Sequence, residues 1–536
     1  MLLALALLSV QPADLVVMNA VIWTDGRVRP GNFLAVQNGR FVHVGSFRED
    51  LIGPETRKLD AGGQMVVPGL IDSHTHLLES GKDLASLQLR PATSKSDFIR
   101  RVKTWNDKLP AGKWLLGSGW SAESWPGKEQ PVKEWIDPVT GERPAGLSRM
   151  DGHSMLVNSA ALSASGITRI GPANPVGGVI DRDPETGEPT GILRDTAMSL
   201  VRIPAATDED YYEGLKAAIR EANRYGVTTV GEISSTARYP MYRRYATDEA
   251  NPRLRFALYA TVRTWPEDVK RAKSFENVSG WVESRGLKAY MDGSLGSRTA
   301  FMHEPFLSQP PGKDKNWRGA PRAGALDGTY QKGFAEAAQA GLQVIVHAIG
   351  DQANHDLLDM YAAIPDIRQR RFRIEHAQHL LPEDVSRFAS LGVIPSMQPF
   401  HKADDGRYCE DVIGLERSKS SYTFRSLLRS GARLAFGSDW DVVTINPFAG
   451  IHTAVTGKIL TGKVWMPHEN LTLDEALLCY TKNGAYANFW EGELGSIANG
   501  YRADFVILNT DPRRKGTDLS KVLPRATYVG GFKAYP

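Results

Sequence analysis

His74 and His76 stand two residues apart in the run GLIDSHTHLLE. On a β-strand, residues i and i+2 share a face at roughly 6.5–7 Å, so two imidazoles placed this way can converge on one metal ion. Alone the pair says little, because 12 His in 536 residues give an HxH by chance about one time in four. Four further residues of suitable chemistry recur in the same kind of place. Lys288 lies in GLKAYMDG, His347 ends QVIVH, His376 ends FRIEH and Asp439 follows LAFGS. Each sits at or near the C-terminal end of a short apolar run that reads as a strand. Buried histidines taken singly are usually structural, but their recurrence at one end of successive strands points to a shared metal site. His and carboxylate donors suit a divalent ion, Zn²⁺ first, and one or two ions could bind. Such an ion brings the pKa of bound water toward neutrality, which makes hydrolysis the expected chemistry.

Those residues need a frame. Short apolar strands are predicted at 65–72, 228–233, 255–260, 287–291, 343–347, 372–375, 393–396 and 433–437. Helical patterns lie between them, at 208–225 and 330–340 among others. Eight is the number that closes a parallel (β/α)₈ TIM barrel, whose active sites lie at the C-terminal ends of the strands. The spacing is regular except between the first and second strands, where residues 81–200 form a large insertion. It carries Trp105, Trp114, Trp120, Trp125 and Trp135, a density that argues for a packed unit rather than a linker. Following a barrel strand, it is expected to act as a cap over the mouth. Its tryptophans could meet an aromatic substrate or fill the cap's own core.

Both chain ends are strand-rich. Residues 14–24 are β-like, and 33–45 read as a hairpin about Asn38-Gly39, the dipeptide a type I′ turn prefers. Residues 504–509 and 526–534 are strand-like again. The expected architecture is therefore α/β: residues 14–64 and 491–536 build a small β-sandwich domain, and 65–490 build the barrel.

Composition narrows the partners. Lys and Arg total 64 against 61 Asp and Glu, a net charge of +3, which gives no field for nucleic acid or an anionic membrane. Two cysteines, Cys409 and Cys479, rule out a disulfide scaffold and a Cys-based zinc cluster. Leu2–Leu8 is too short to span a bilayer but is like the apolar part of a secretory signal, with Ala13 as a candidate cleavage residue. Export to the periplasm is one expectation, and a cytoplasmic protein with a misplaced start is the other. The remaining expectations are a small-molecule substrate, no membrane span, and a homodimer as the oligomer to test.

The motifs VVPGLIDSHTHL, GLKAYMDGSLGSRTA, VIVHAIGDQAN, RIEHAQ and AFGSDWDV, together with GYRADFVIL near the C-terminus, resemble the amidohydrolase superfamily. Within it they are similar to the amidohydrolase 3 family that includes N-substituted formamide deformylases, and the likeness covers nearly the whole chain. The resemblance implies a one- or two-metal centre built by His74, His76, Lys288, His347, His376 and Asp439. It also implies that Asp439 takes a proton from the attacking water and passes it to the leaving nitrogen. A lysine ammonium, with a pKa near 10.4, cannot ligate a cation. The resemblance implies that carbon dioxide converts Lys288 to a carbamate; an ordinary ion pair with Asp292, of the same strand parity, is the alternative.

Further residues are candidates for substrate contact. His153, in Asp151-Gly152-His153-Ser154 of the insertion, could reach substrate or organise its own loop. Trp440 is placed to wall the pocket. Arg298 in SLGSRTA could bind a substrate carboxylate or make a structural salt bridge. His43, His303, His355, His379, His401, His452 and His468 hold no strand-end position; His401, just beyond the seventh strand, comes closest. The function expected is hydrolysis of a non-peptide amide or related C–N bond. A lactonase or phosphotriesterase on the same centre is the alternative, with a non-catalytic binding barrel behind it.

Overall fold

The structure, a computed structural model, describes residues 11–536 other than 85, 123–124, 150–153, 177, 249–252 and 310–312. It divides into two compact units, residues 1–77 with 219–536 and residues 78–218.

In the first unit, eight parallel strands form the barrel. They are β1 (Leu70–Thr75), β2 (Val227–Ser234), β3 (Arg255–Thr261), β4 (Val282–Tyr290), β5 (Gln343–Ala348), β6 (Arg373–His376), β7 (Ile394–Met397) and β8 (Ala435–Phe436). Each pairs with the next in chain order, so the sheet reads 8-7-6-5-4-3-2-1. The barrel closes at its mouth: Asp439 N donates to His74 O at 2.8 Å, and His76 N donates to Trp440 O at 2.8 Å. Metal-site candidates are thus part of the seam itself.

One sequence expectation needs correcting. The apolar run 65–72 is not a single barrel strand. Met65–Pro68 pairs with Val21–Ile22 and with Phe505–Ile507 in the β domain, and the barrel strand begins at Leu70. Pro68 and Gly69 make the break. A Cβ on Gly69 would come 2.2 Å from the Thr228 hydroxyl, so only glycine lets the chain pass that close to β2. Hydrophobicity alone does not show where one sheet hands over to another.

The β domain is built from both ends in two sheets, of four and six strands. Its core holds Leu15, Val17, Ile22, Leu34, Phe41, Val66, Phe505 and Ile507. Asn38 and Gly39 take φ of +50° and +73°, as the predicted turn requires. Buried Arg255 at the start of β3 holds Asp504 of this domain through bonds of 2.7 and 2.9 Å. Ala13 is 3% exposed; its N–H donates to Leu51 O and its carbonyl accepts from Thr56 Oγ1. Leu2–Leu8 lies outside the described residues. Among the described residues, no helix is long and apolar enough to cross a membrane.

The second unit has its own six-stranded sheet and its own core. Trp120, Trp125 and Trp135 are buried there with Phe98, Leu115 and Leu147. Two of the indoles donate to backbone carbonyls, Trp120 to Leu147 O at 2.7 Å and Trp125 to Ala92 O at 2.9 Å. Trp105 and Trp114 pack partly buried against the same unit's cores. These tryptophans serve the unit's interior, so their number carries no information about the substrate.

Candidate metal centre

Asp439 is the hinge of the cluster. It follows β8 with φ +58°, a left-handed conformation that a non-glycine residue keeps only where its surroundings impose it. Its carboxylate divides between two groups of histidines. Oδ1 lies 3.4 Å from His74 Nε2 and 3.4 Å from His76 Nε2. Oδ2 lies 4.0 Å from His376 Nδ1 and 3.9 Å from His401 Nε2. Each set, His74/His76/Asp439 and His376/His401/Asp439, offers one donor atom per residue within 4.8 Å of the others. Burial pushes the Asp439 carboxyl up, but the surrounding histidines outweigh it and hold it well below its usual range.

His74 is fully buried and fixed from behind. Its Nδ1 donates to Glu375, which in turn accepts from Arg373 Nε at 2.6 Å, while Arg373 Nη2 donates to Ser73 O at 2.6 Å. A carboxylate only accepts here, so the proton sits on Nδ1 and the lone pair on Nε2 faces Asp439. Burial pushes Glu375 up, and Arg373 and His74 more than reverse this, holding it at about 2. Burial also keeps His74 itself below its ordinary pKa, in the neutral form that ligation needs. Lys288, 1% exposed, puts Nζ 3.3 Å from His74 Nε2. Burial brings its amine down to about 8, against the pull of Glu375 and Asp439.

His376 and Ala377 take φ of +75° and +44°. That twist breaks strand alternation: Arg373 and Glu375 are buried together, and His376 turns its ring toward Asp439. His376 Nδ1 donates to Gln398 Oε1 at 2.7 Å, which leaves the lone pair on Nε2. Burial holds His376 well below its ordinary pKa. The His347 ring lies 4.5 Å from that of His376, centroid to centroid. His347 Nε2 donates to Gly293 O at 3.0 Å and lies 3.4 Å from Asp292 Oδ1, so its lone pair is on Nδ1.

Asp292 is not the partner of Lys288. Its carboxylate accepts from the backbone N–H of Phe301, Ile349 and Gly350 at 2.8–3.0 Å, tying the loop after β4 to the end of β5. Among the described residues Arg298 forms no salt bridge. It takes φ +55° and donates to Gly296 O and Ser308 Oγ within its own loop. Trp440 is half-buried and contributes through its backbone, where its carbonyl holds His76 N. His153 lies outside the described residues.

Sequence reasoning passed over His401, which is buried in the cluster. The signal was Pro399: proline favours the first turn of a helix, and the helix Pro399–Asp405 starts two residues after β7 ends. His401 therefore stays at the mouth. Glu375, Gln398 and Gln378 were missed as well, because residues that hold ligands carry no spacing signature of their own. A cavity of about 550 Å³ at the ends of β3 and β4, lined by Arg263, Trp265, Tyr290, Asp327, Tyr330 and Lys332 among others, is not where these donors converge.

The donor set fits a divalent ion. Its members are nitrogen and oxygen atoms on converging side chains, with His74 and His376 held below their ordinary pKa by burial and oriented by second bonds. A parallel barrel with such a set at its mouth defines the class: a metal-dependent hydrolase. The chain belongs to the amidohydrolase family, whose model matches residues 57–534, and it is an enzyme that hydrolyses carbon–nitrogen bonds. It is 40% identical over 550 residues to protein LONG AFTER FAR-RED 3 of Arabidopsis thaliana, covering 98% of this chain and 92% of that protein. It is 28% identical over 557 residues to N-substituted formamide deformylase of Arthrobacter pascens, covering 98% and 99%. Among solved structures it is similar to an uncharacterised metal-dependent hydrolase of Pyrococcus furiosus. That match has a TM-score of 0.74 and 26% identity over 93% of this chain and 99% of the other.

Proposed function

We propose that this enzyme hydrolyses a non-peptide amide of the N-substituted formamide type, with Asp439 as the proton carrier. The observation behind the proton role is the position of Asp439, ionised and shared between two groups of histidines. The full-length similarity to a formamide deformylase supports the substrate class. His74, His76 and Asp439 would hold one divalent ion. His347, His376 and a carbamate on Lys288 would hold a second, with zinc favoured by the nitrogen-rich donors. A bound ion of this kind supplies Lewis acidity and water that ionises near neutral pH.

The chain's own residues do the rest. Glu375 and Gln398 take the Nδ1 protons of His74 and His376, so both rings keep the orientation and tautomer that ligation needs. Asp439 accepts the proton released as water adds to the carbonyl carbon and delivers it to the leaving nitrogen, so the amine departs neutral. At about 8, the buried amine of Lys288 has an uncharged fraction at neutral pH. That form adds to carbon dioxide, releasing one proton and leaving a carbamate.

The test is a panel of N-alkyl and N-aryl formamides, larger amides, lactones and phosphotriesters given to metal-loaded protein. Formate release that a chelator abolishes and Zn²⁺ restores is the expected result. Turnover of lactones or phosphotriesters with none of formamides would overturn the substrate reading. Lys288→Ala should lose metal and activity, with partial rescue by short carboxylates plus metal. A fully metallated, active enzyme whose intact mass shows free Lys288 would reject the carbamate.

A further inference from the structure

The histidines around Asp439 differ in what holds their second nitrogen. His74 and His376 give their Nδ1 protons to acceptors, the Glu375 carboxylate and the Gln398 amide oxygen. The Gln398 amide is oriented by its own nitrogen, which donates to Ser396 O at 3.3 Å. His401 is arranged the other way round. Its Nδ1 faces the amide nitrogen of Gln378 at 3.3 Å. With the Gln378 amide in this orientation its nitrogen donates, so His401 Nδ1 accepts and the proton of the neutral ring is on Nε2.

That Nε2 is buried and, among the described residues, has no hydrogen-bond partner. It points at Asp439 Oδ2 from 3.9 Å. The gap is too long for a hydrogen bond, yet a group bound beside Asp439 falls within reach of the N–H. The ring is held parallel to that of His376, 10° apart in plane and 6.1 Å between centroids. A buried donor without a partner is rare and costly, and its retention calls for an explanation. His401 lies close enough to Asp439 and His376 to belong to the donor cluster by distance, but in this tautomer Nε2 carries a proton and no free lone pair, so His401 differs in kind from the two ligand-type histidines beside it.

We propose that His401 is a further catalytic residue, its Nε2–H donating to the substrate's carbonyl oxygen as negative charge develops there. The inference rests on the hydrolytic reading above. It names the carbonyl oxygen because an amide's nitrogen is a poor acceptor, which leaves that oxygen as the atom a fixed N–H can serve. Such a donor is worth most in the transition state, and loss of one typically lowers kcat by roughly 10²–10³.

The experiment compares wild type, His401→Ala and the closer-fitting His401→Gln on whichever panel substrate the wild type turns over. Metal content is measured by elemental analysis alongside. Expected are unchanged metal content in both variants, and a fall in kcat of about 100-fold or more in His401→Ala with KM within about threefold. The near-isosteric variant stands in if His401→Ala does not fold. Loss of metal would make His401 a ligand and overturn the proposal, as would kcat within about threefold of wild type or a loss carried by KM alone. Turnover confined to lactones would refute the formamide reading and leave the His401 measurement valid. A metallated wild type inert to the whole panel would overturn both.

Discussion

The barrel mouth and the inserted unit bury their side chains in opposite ways. At the mouth, His74, Lys288, Arg373, Glu375, His376 and Asp439 are all out of water. They are charged or titratable groups that repay burial only through close partners. In residues 78–218 the core is Leu, Ile, Phe, Ala and Trp, with indole N–H groups capped by carbonyls. Both regions are rich in large, costly residues, and from sequence alone both look functional. The difference lies in what the polar atoms do. In the inserted unit the buried indole N–H groups of Trp120 and Trp125 are satisfied locally. At the mouth, His74 Nε2 meets Asp439 and Lys288, His376 turns toward the same carboxylate, and the Nε2 of His401 is left over among the described residues after local bonds are counted. Buried titratable groups converging on one carboxylate mark the site, and aromatic density does not.

Asp439→Asn tests the comparison hardest. The amide keeps size and some ligating ability but cannot take a proton, so kcat should fall about 10⁴-fold with KM little changed. Thermal stability and metal content should stay close to wild type. An Asn variant with metal bound and kcat within about threefold would mean that another group moves the proton.

The inserted unit should give the converse result. Trp120 is 1% exposed, and Trp120→Ala should cost about 3–5 kcal/mol of that unit's stability, as large aromatic truncations do. Metal content and kcat per folded, metallated molecule should hold below the unit's melting transition. A variant that stays fully folded yet loses activity would place Trp120 in the chemistry and blur the distinction.

Glu375→Gln probes the second layer of the mouth. It removes the carboxylate that orients His74 and leaves Arg373 without its ion partner. Metal affinity should drop about 10- to 100-fold, the usual cost of losing an orienting partner, read by competition with a chromogenic chelator. Unchanged affinity would mean that His74 does not depend on this carboxylate.

These experiments also bear on what the sequence could show. The eight strands and their C-terminal residues were legible because period and apolar runs follow from backbone geometry. Asp439, His74 and His76 were found by their type at a strand end. The division of 65–72 between two sheets was not legible, since a proline and a glycine inside an apolar run do not say which sheet each half joins. His376 was found for an incomplete reason: the positive φ that turns it toward the mouth cannot be read from FRIEH, and neither can the burial of Glu375 beside Arg373. Lys288 and Asp292 share strand parity yet take different partners, because three backbone N–H groups claim Asp292 first. His401 was set aside because one turn of helix separates it from its strand.

The smallest effect expected comes from a histidine just beyond the ligand strand. His379 is buried; its Nδ1 lies 2.8 Å from Ser421 Oγ, and its Nε2 has no hydrogen-bond partner among the described residues. Burial, with Arg417 adding to it, pushes its pKa down to about 3. The unfolded chain takes this proton near pH 6.5, whereas the folded chain resists it until about pH 3. In that window the unfolded state binds more protons, so stability rises with pH. The contribution is fully present above pH 6.5 and is lost as pH falls, by about 1.4 kcal/mol per unit. At pH 5 this one ring should cost about 2 kcal/mol. His379→Gln keeps a polar side chain without the titration, so the difference in unfolding free energy between pH 7 and pH 5, read by urea denaturation, should shrink by about that amount. An unchanged pH slope would show that acid sensitivity resides elsewhere, with the buried carboxyl of Asp72, raised by burial to about 7, contributing in the opposite direction.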